Sequence, residues 1–480
     1  VAKFSPDGEL NVYSTYIGGN GVEYGYAVAV DGSNNIYVGG VTNSTNFPVS
    51  LTQIVPSITT SKHPDNDGFI TKINADGRSL GYSAYVGSGG NDAVHNITVN
   101  SDGNVFVTGR SNGTNNWPAG SIQASKAAGT DAFAGKLNLA GNNWEWWTWV
   151  GGGGEDNAFG IAIDEDENVY LAGQTTSSTA SWIPRNPAVA SNYQHGSVDA
   201  FVVKISTGGT AFELGYFIGG SSGDYGNGVA VAENGDIYVV GETASGDMMA
   251  VQPQLGATKL DSTFGGNGDG FIVRFSGNSM TMATYAGGAL GDVLYDCAID
   301  SEGRLWAVGH TASVSAGGIP VTSNAPQITY QGGTTDGFIC VLDATVTSFY
   351  MRGYLGGNGN DVAYGVATGI FQGEAAAYVC GEVTSATNFP FTDGAYQQSS
   401  PFGAHEAFAV LIANNTRPIA KAGNDKAIEC TMENNPVTLD GSASFDPDGD
   451  AITYKWYLLN EPNPPICVGT SAVISTSVPF

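Results

Sequence analysis

Six carboxylates recur at one place in a repeating frame. Glu23, Asp92, Asp156, Asp224, Asp292 and Asp361 each stand five residues after the first glycine of a Gly-rich turn. If the frame is rotational, these acids form a ring near one mouth of a central channel. Convergent carboxylates focus a negative field, which is the chemistry of a cation site or an entrance for basic ligands. The same residue type in such a turn also accepts backbone N–H bonds, as Asx turns do. Repetition in every unit favours this second role, because a binding site on a ring ordinarily breaks its symmetry. A second recurring acid, in Asp67-Gly68-Phe69, Asp131-Ala132-Phe133, Asp199-Ala200-Phe201, Asp269-Gly270-Phe271, Asp336-Gly337-Phe338 and Glu406-Ala407-Phe408, reads as structural.

The tryptophans break the repetition. Trp144, Trp146, Trp147 and Trp149 fall within six residues. Trp146 and Trp149 replace residues that are apolar in the other units. Trp147 replaces Ser14, Ser83, Gly215, Ala283 or Arg352, so an outward indole there, with Trp144 beside it, is a candidate stacking platform for a sugar or a partner. Other apparent motifs carry no chemistry. Gly109-Arg110-Ser111-Asn112-Gly113 matches G-x-S-x-G but leaves a strand and opens no helix. His63, His95, His195, His310 and His405 have no paired metal-ligand spacing, and Asp164-Glu165-Asp166-Glu167 reads as a solvated hairpin turn. No catalytic residue singles itself out.

The elements that must position these residues come from the repeat. Tyr16-Ile17-Gly18-Gly19, Tyr85-Val86-Gly87, Trp149-Val150-Gly151-Gly152, Phe217-Ile218-Gly219-Gly220, Tyr285-Ala286-Gly287-Gly288 and Tyr354-Leu355-Gly356-Gly357 follow one another at steps of 69, 64, 68, 68 and 69 residues. After each come an alternating apolar run, a strand ending in glycine, and the acid-x-Phe strand. The runs are short, have period two and are bounded by Gly, Asn, Asp or Ser. Four short strands repeated six times predict an all-β chain folded as a β-propeller, with blades stacked around an axis. We name the strands a to d, with a (Tyr26–Asp31 in the first unit) innermost and d (Tyr13–Ile17) outermost. The chain opens on a strand-c run, Val1–Phe4, and the last unit stops after strand c near Ile412. Tyr13–Ile17 is expected to complete the last blade as its strand d, closing six blades. The rival is a seventh blade with strands a and b upstream of Val1.

The d–a and b–c connections share one face of such a disc. The b–c connections are the longest, as in 42–66, 174–198 and 384–405, so this face is the expected recognition surface. Phe47-Pro48, Trp117-Pro118 and Phe389-Pro390 recur there and read as loop anchors.

Composition bounds the remaining possibilities. The 480 residues carry 17 basic and 45 acidic side chains, a formal net charge of −28. That field, with so few scattered cations, excludes nucleic acid as a partner. No apolar run approaches the roughly 20 residues of a membrane span. Cys297, Cys340 and Cys380 sit in apolar runs and read as small buried hydrophobes, whereas Cys430 and Cys467 are a candidate disulfide in an oxidising compartment.

The unit running from Tyr13 to Pro48 with Asp67-Gly68-Phe69-Ile70-Thr71-Lys72-Ile73-Asn74-Ala75-Asp76-Gly77 resembles the SBBP β-propeller repeat of secreted bacterial proteins, over about residues 1–416. Beyond Pro418 the period stops. Leu439-Asp440-Gly441-Ser442-Ala443-Ser444-Phe445-Asp446-Pro447-Asp448-Gly449-Asp450 with Tyr454-Lys455-Trp456 resembles a PKD domain, an immunoglobulin-like β-sandwich. Residues 417–480 are too few for a whole sandwich of about 80–100 residues, so a partial one is expected. Some relatives of that kind bind calcium near this turn, which makes Asp446, Asp448 and Asp450 candidate ligands, although the 12-residue loop with its terminal Glu is missing.

These readings imply a secreted or cell-surface, non-catalytic recognition or scaffold protein. Its partner would be an extracellular protein or glycan held by the long-loop face, with no cofactor required beyond calcium at the tail. A structural subunit of a surface assembly, in contact with other subunits, is a second expectation. An accessory or catalytic module of a polysaccharide-acting enzyme is the third.

Overall fold

A computed structural model describes the chain except residues 51–57, 114–119, 121, 178–195, 252–257, 315–317, 386, 392–394, 398–404, 414–420, 422–434, 445–453, 455, 459–465, 470–472 and 479–480. The chain divides into two compact units: Val1–Gly369 with Ala377–Ile412, and Ile370–Ala376 with Ala413–Phe480.

The alternating runs fold as antiparallel blades in chain order, a six-bladed β-propeller. In the first blade strands a to d are Glu23–Val30, Ile36–Thr42, Asp67–Ile73 and Leu80–Val86, with a short Ile58–Thr59 strand added at the outer edge. The second runs through Asp92–Val99, Val105–Ser111, Asp131–Leu137 and Trp144–Val150, and the third through Asp156–Ile163, Val169–Thr175, Asp199–Ile205 and Phe212–Ile218. The fourth comprises Asp224–Val231, Ile237–Thr243, Asp269–Ser276 and Ser279–Ala286; the fifth comprises Asp292–Ile299, Leu305–Thr311, Asp336–Leu342 and Phe349–Leu355. Among the described residues the sixth has three strands, Asp361–Phe371, Glu374–Val383 and Glu406–Ala413. Among the described residues the one helix is Met248–Val251.

Period-two alternation gives each blade two apolar faces, and neighbouring blades bury them against each other. Tyr37, Ile70 and Ala84 of the first blade pack on Val94, Ile97 and Val107 of the second; Phe106, Ala132 and Ala134 of the second pack on Ile161, Leu171 and Val203 of the third. At about 1.5–3 kcal/mol per buried large apolar side chain, these faces hold the fold.

Tyr13–Ile17 does not complete the last blade. Its strand, Asn11–Ser14, pairs with Ala2–Phe4 as a separate two-stranded hairpin. Tyr13 and Ile17 pack against the first blade, beside Ile36, Val38, Phe69 and Tyr85. The turn Ser5–Leu10 makes a tight loop, and pairing within this hairpin satisfies the strand that the sequence assigned to the far end of the ring.

In the second unit Asn435–Asp440 pairs with Val473–Val478, and Trp456–Leu458 with Ile466–Gly469, both antiparallel. Asp446, Asp448, Asp450 and Cys430 lie outside the described residues, as does Trp117.

Candidate functional site

Each ring carboxylate begins the innermost strand of its blade, and the fold buries five of the six, leaving Glu23 partly exposed. Asp92, Asp156, Asp224, Asp292 and Asp361 are at most 1% exposed. One oxygen of each of the six accepts the N–H of the residue four back: Gly19 at 3.1 Å, Ser88 at 2.8 Å, Gly152, Gly220 and Gly288 at 2.7 Å, and Gly357 at 2.6 Å. Hydroxyls beyond strand b complete the cage. Ser177, Ser245, Ser313 and Ser385 donate at 2.7, 2.9, 3.0 and 2.6 Å, joined by Thr175 and Thr243 in the third and fourth blades. Thr42 at 2.7 Å and Ser44 do the same for Glu23. The turn-holding role is the one this geometry serves: the acid ties the d–a corner to the start of the b–c connection. The open ring of charge at the channel mouth is not formed. Burial pushes Asp156, Asp224 and Asp292 above the ordinary carboxylate range, opposing the hydrogen bonds that lower them.

The strand-c acids sit at the same corners. One oxygen of Asp67, Asp131, Asp269 and Asp336 accepts an N–H from the b–c connection: His63 and Ala127 at 2.7 Å, Gly265 and Gln331 at 2.8 Å. Among the described residues the other oxygen of Asp131, Asp269 and Asp336 has no donor. It faces the strand-a acid of the next blade across a glycine. A Cβ on Gly287 would lie 2.6 Å from Asp292 Oδ2 and 3.0 Å from Asp269 Oδ1, so only glycine lets these carboxyl groups approach the turn. Two buried carboxyl groups at one corner do not both ionise readily. Burial, together with the neighbouring carboxylate, pushes Asp269 and Asp336 up to about 7 and Asp131 to about 6.

The accessible, non-repeating chemistry lies nearer the axis. In each of the first five blades strand a carries a β-bulge near its start, where one extra residue faces a single partner: Tyr26, His95, Phe159, Asn227 and Tyr295, with Tyr364 at the same position of the sixth. Bulges re-aim side chains, and here they turn them towards the following blade. His95 Nδ1 lies 2.9 Å from the Ala158 carbonyl, Asn227 Nδ2 donates to Leu294 O at 2.9 Å, and His95 stacks on Phe159 with centroids 5.0 Å apart. Tyr295 contacts both His310, at 5.6 Å, and Tyr364, at 5.3 Å.

Strand b adds Val41, Arg110, Gln174, Glu242, His310 and Glu382, one residue before its end and therefore on the long-loop face. Burial keeps His310 neutral by lowering it and pushes Glu242 up. Glu382 is hydrogen-bonded to His405. Asp296, beside the fifth bulge, is half-buried, accepts N–H bonds from Cys297 at 2.9 Å and Val366 at 3.0 Å, and is raised by burial to about 6. Half-exposed aromatic faces next to a guanidinium, a neutral imidazole and protonatable carboxyls suit a polar ligand with an apolar side, such as a sugar or a peptide. The sequence carried one signal for this set: five positions after Gly18 and its equivalents are constant acids, whereas three further on the residue type changes in nearly every unit.

The tryptophans belong to the core. Trp147 is 1% exposed, packed on Trp149 with centroids 4.6 Å apart and on Phe133 at 5.8 Å; Trp144 is also buried. No stacking platform is presented. Trp147 stands opposite Gly135, whose missing side chain makes room for the indoles, and its equivalents Ser83 and Ala283 are buried as well. Position 147 is thus inward in other blades too, with small residues where the neighbours press close. Phe47 and Phe389 are buried and anchor their loops as expected. Glu167 is less solvated than a plain hairpin turn: it accepts bonds from Asn100 and Asn104 at 2.7 Å and pairs with Lys136 at 2.8 Å. Cys297 and Cys340 are buried thiols, but Cys380 is exposed.

With this geometry in hand, comparison with known proteins adds the following. Residues 12–48 and 145–178 match the family described as SBBP, Beta-propeller repeat. No curated protein matches the chain. Among solved structures, a protein of unknown function from Dyadobacter fermentans is similar at 10% identity, covering 83% of this chain and 97% of its own, with a TM-score of 0.42. A gluconolactonase from Xanthomonas campestris is 10% identical over 75% of this chain and 84% of its own, at TM-score 0.33. The β-propeller domain of the Trilobed protease from Pyrococcus furiosus is 10% identical over 76% and 79%, also at 0.33. Among the described residues no helix is long and apolar enough to cross a membrane.

Proposed function

We propose that this is a secreted or cell-surface recognition protein that binds an extracellular glycan or protein, without catalysis, at the axial mouth on its long-loop face. A break in symmetry carries the proposal. The corner carboxylates and the core positions repeat from blade to blade, and Thr-x-Ser recurs in four of the six, as a scaffold requires. At the mouth the repeat lapses into Arg110, Gln174, Glu242, His310 and Glu382, with Tyr26, His95, Phe159, Asn227, Tyr295 and Tyr364 around them. A rigid disc that varies there gives a ligand a pre-organised place to bind. The tail would act as a PKD-like spacer. Probing arrays of extracellular polysaccharides and peptides with the purified protein tests this reading. Selective binding to one chemical class supports it, and binding to none refutes it.

A second reading, an extracellular hydrolytic enzyme, rests on one cluster. Glu242 is raised and His310 lowered by burial, with Tyr295 beside His310. Titrations shifted together in a cleft are a mark of acid–base sites. Turnover of an array-selected polysaccharide that disappears in Glu242→Gln would favour the enzyme over the binding protein.

A further inference from the structure

The two ends of the blade array leave one blade position half filled. At the start, the hairpin of Ala2–Phe4 and Asn11–Ser14 occupies the place of strands c and d of a blade preceding the first. The ring of Tyr13 presses on the next c–d turn as its equivalents do: a Cβ would meet Tyr13 at 2.7 Å on Gly77, Tyr82 at 2.4 Å on Gly141 and Trp146 at 2.4 Å on Gly209. On its far side the same hairpin touches the sixth blade, where Tyr396 N donates to Gly8 O at 3.2 Å and the Phe4 and Tyr396 rings are 6.0 Å apart. The gap is therefore one blade wide, and its outer half is taken.

Among the described residues nothing covers the inner half. Val28 of the first strand a is 62% exposed, whereas its equivalents Ile97, Ile161, Val229, Cys297 and Val366 are 3–9% exposed beneath the preceding blade. Across the gap, Cys380, Ala407 and Ala409 are exposed, whereas Val308, Ile339 and the other equivalents in the fifth blade are wholly buried. Tyr16 is fully exposed. The tyrosines at its position elsewhere, Tyr85, Tyr285 and Tyr354, each donate at 2.9 Å to the carbonyl of Ser44, Ser245 or Ser313, just beyond strand b of their own blade.

We infer that this seat binds a two-stranded antiparallel β-hairpin of the repeat's own a–b kind, ending in Thr-x-Ser, which none of the described residues supplies. The five filled junctions specify the occupant. Apolar residues alternating along both its strands would cover Val28 and Val30 on one side and Tyr364, Cys380 and Ala409 on the other. Its second strand would pair with the free edge of Ala2–Phe4, and its terminal serine carbonyl would receive the Tyr16 hydroxyl. Strand addition of this kind joins backbone pairing for affinity to side-chain pockets for register. A second copy of the sixth blade does not fit, because its strand c would need the space held by Ala2–Phe4.

A synthetic peptide of residues 224–245, which spans strands a and b of the fourth blade and ends in Thr243-Ala244-Ser245, is titrated into the whole chain. The expected result is one-to-one binding, a melting temperature raised by several degrees, and at least about a tenfold weaker affinity for Val28→Asp, from the loss of one buried valine. Because Val28 is exposed without the hairpin, that variant keeps the melting temperature of the free protein. The same segment tethered to Val1 through a Gly/Ser linker is the second measurement, free of any tendency of the peptide to self-associate. A rise in melting temperature that Val28→Asp abolishes supports the seat even when the free peptide is silent. Three results overturn it: no binding in trans with an unchanged melting temperature in the tethered chain, equal binding to Val28→Asp, or a dimer of the protein alone that the peptide does not dissociate.

Discussion

Replacing Asp269 by Asn makes a sharp demand on the paired-carboxyl corners. In the folded chain Asp269 keeps one oxygen on the Gly265 N–H, while the other has no donor among the described residues and faces Asp292. Burial, aided by Asp292, raises it from 3.8 to about 7. In the unfolded chain the group returns to an ordinary value near 3.9. The sign follows from proton binding. Between about pH 4 and pH 7 the folded state holds a proton that the unfolded state has lost, so stability is greatest below the unfolded value and falls as pH rises through the folded one. A shift of about three units at 1.36 kcal/mol each sets the loss on the order of 4 kcal/mol by pH 8. Asn has nearly the shape of the protonated acid and does not ionise. Asp269→Asn should therefore match the parent near pH 4 and exceed it by up to about 4 kcal/mol at pH 8. Urea denaturation of both proteins at pH 4.5, 6 and 8 gives the comparison. A stability difference that stays constant with pH, or an Asn variant less stable at pH 8, would refute the reasoning.

Three further substitutions probe the same scaffold. Trp147→Ala should cost about 3–5 kcal/mol in a denaturation titration, the price of a large buried aromatic, with no selective loss of ligand binding in the fraction that folds. Gly219→Ala places a Cβ 2.5 Å from Asp224 Oδ2 and 2.6 Å from Asp199 Oδ1; thermal melting should show a loss of about 1–3 kcal/mol, comparable to overpacking a core. Tyr285→Phe removes the bond donated to Ser245 O and the Met249 N–H bond that the hydroxyl accepts, and should cost about 1–3 kcal/mol by the same measurement.

The six blades and the burial of their apolar faces could be read from the sequence because a period of about 68 residues repeats one strand pattern six times. The place of the corner acids was also open to reading: a carboxylate in a Gly-rich turn, followed by Thr-x-Ser about twenty residues later, has its donors written beside it. What escaped was set by long-range geometry. The inward side of Trp147 depends on Gly135, a residue on the neighbouring strand whose role shows only in register. The aim of His95 or Tyr295 depends on a bulge, and one extra residue in a ladder leaves no mark in composition. The place of Asn11–Ser14 turned on competition between a nearby partner and one at the other end of the chain. The local hairpin with Ala2–Phe4 prevailed, because closing a short loop costs less entropy than closing a ring.

The claim that the varied axial mouth is the recognition surface is tested most directly by comparing two sets of surface variants on one ligand array. One set carries Arg110→Ala, Gln174→Ala and His310→Ala at the mouth. The other carries Asp102→Ala, Glu165→Ala and Asp166→Ala on the a–b turns at the opposite end. With both sets melting like the parent, the mouth set should lose the ligand class that the parent binds and the opposite set should retain it. Retention by the mouth set, or loss by the opposite set alone, would contradict the assignment.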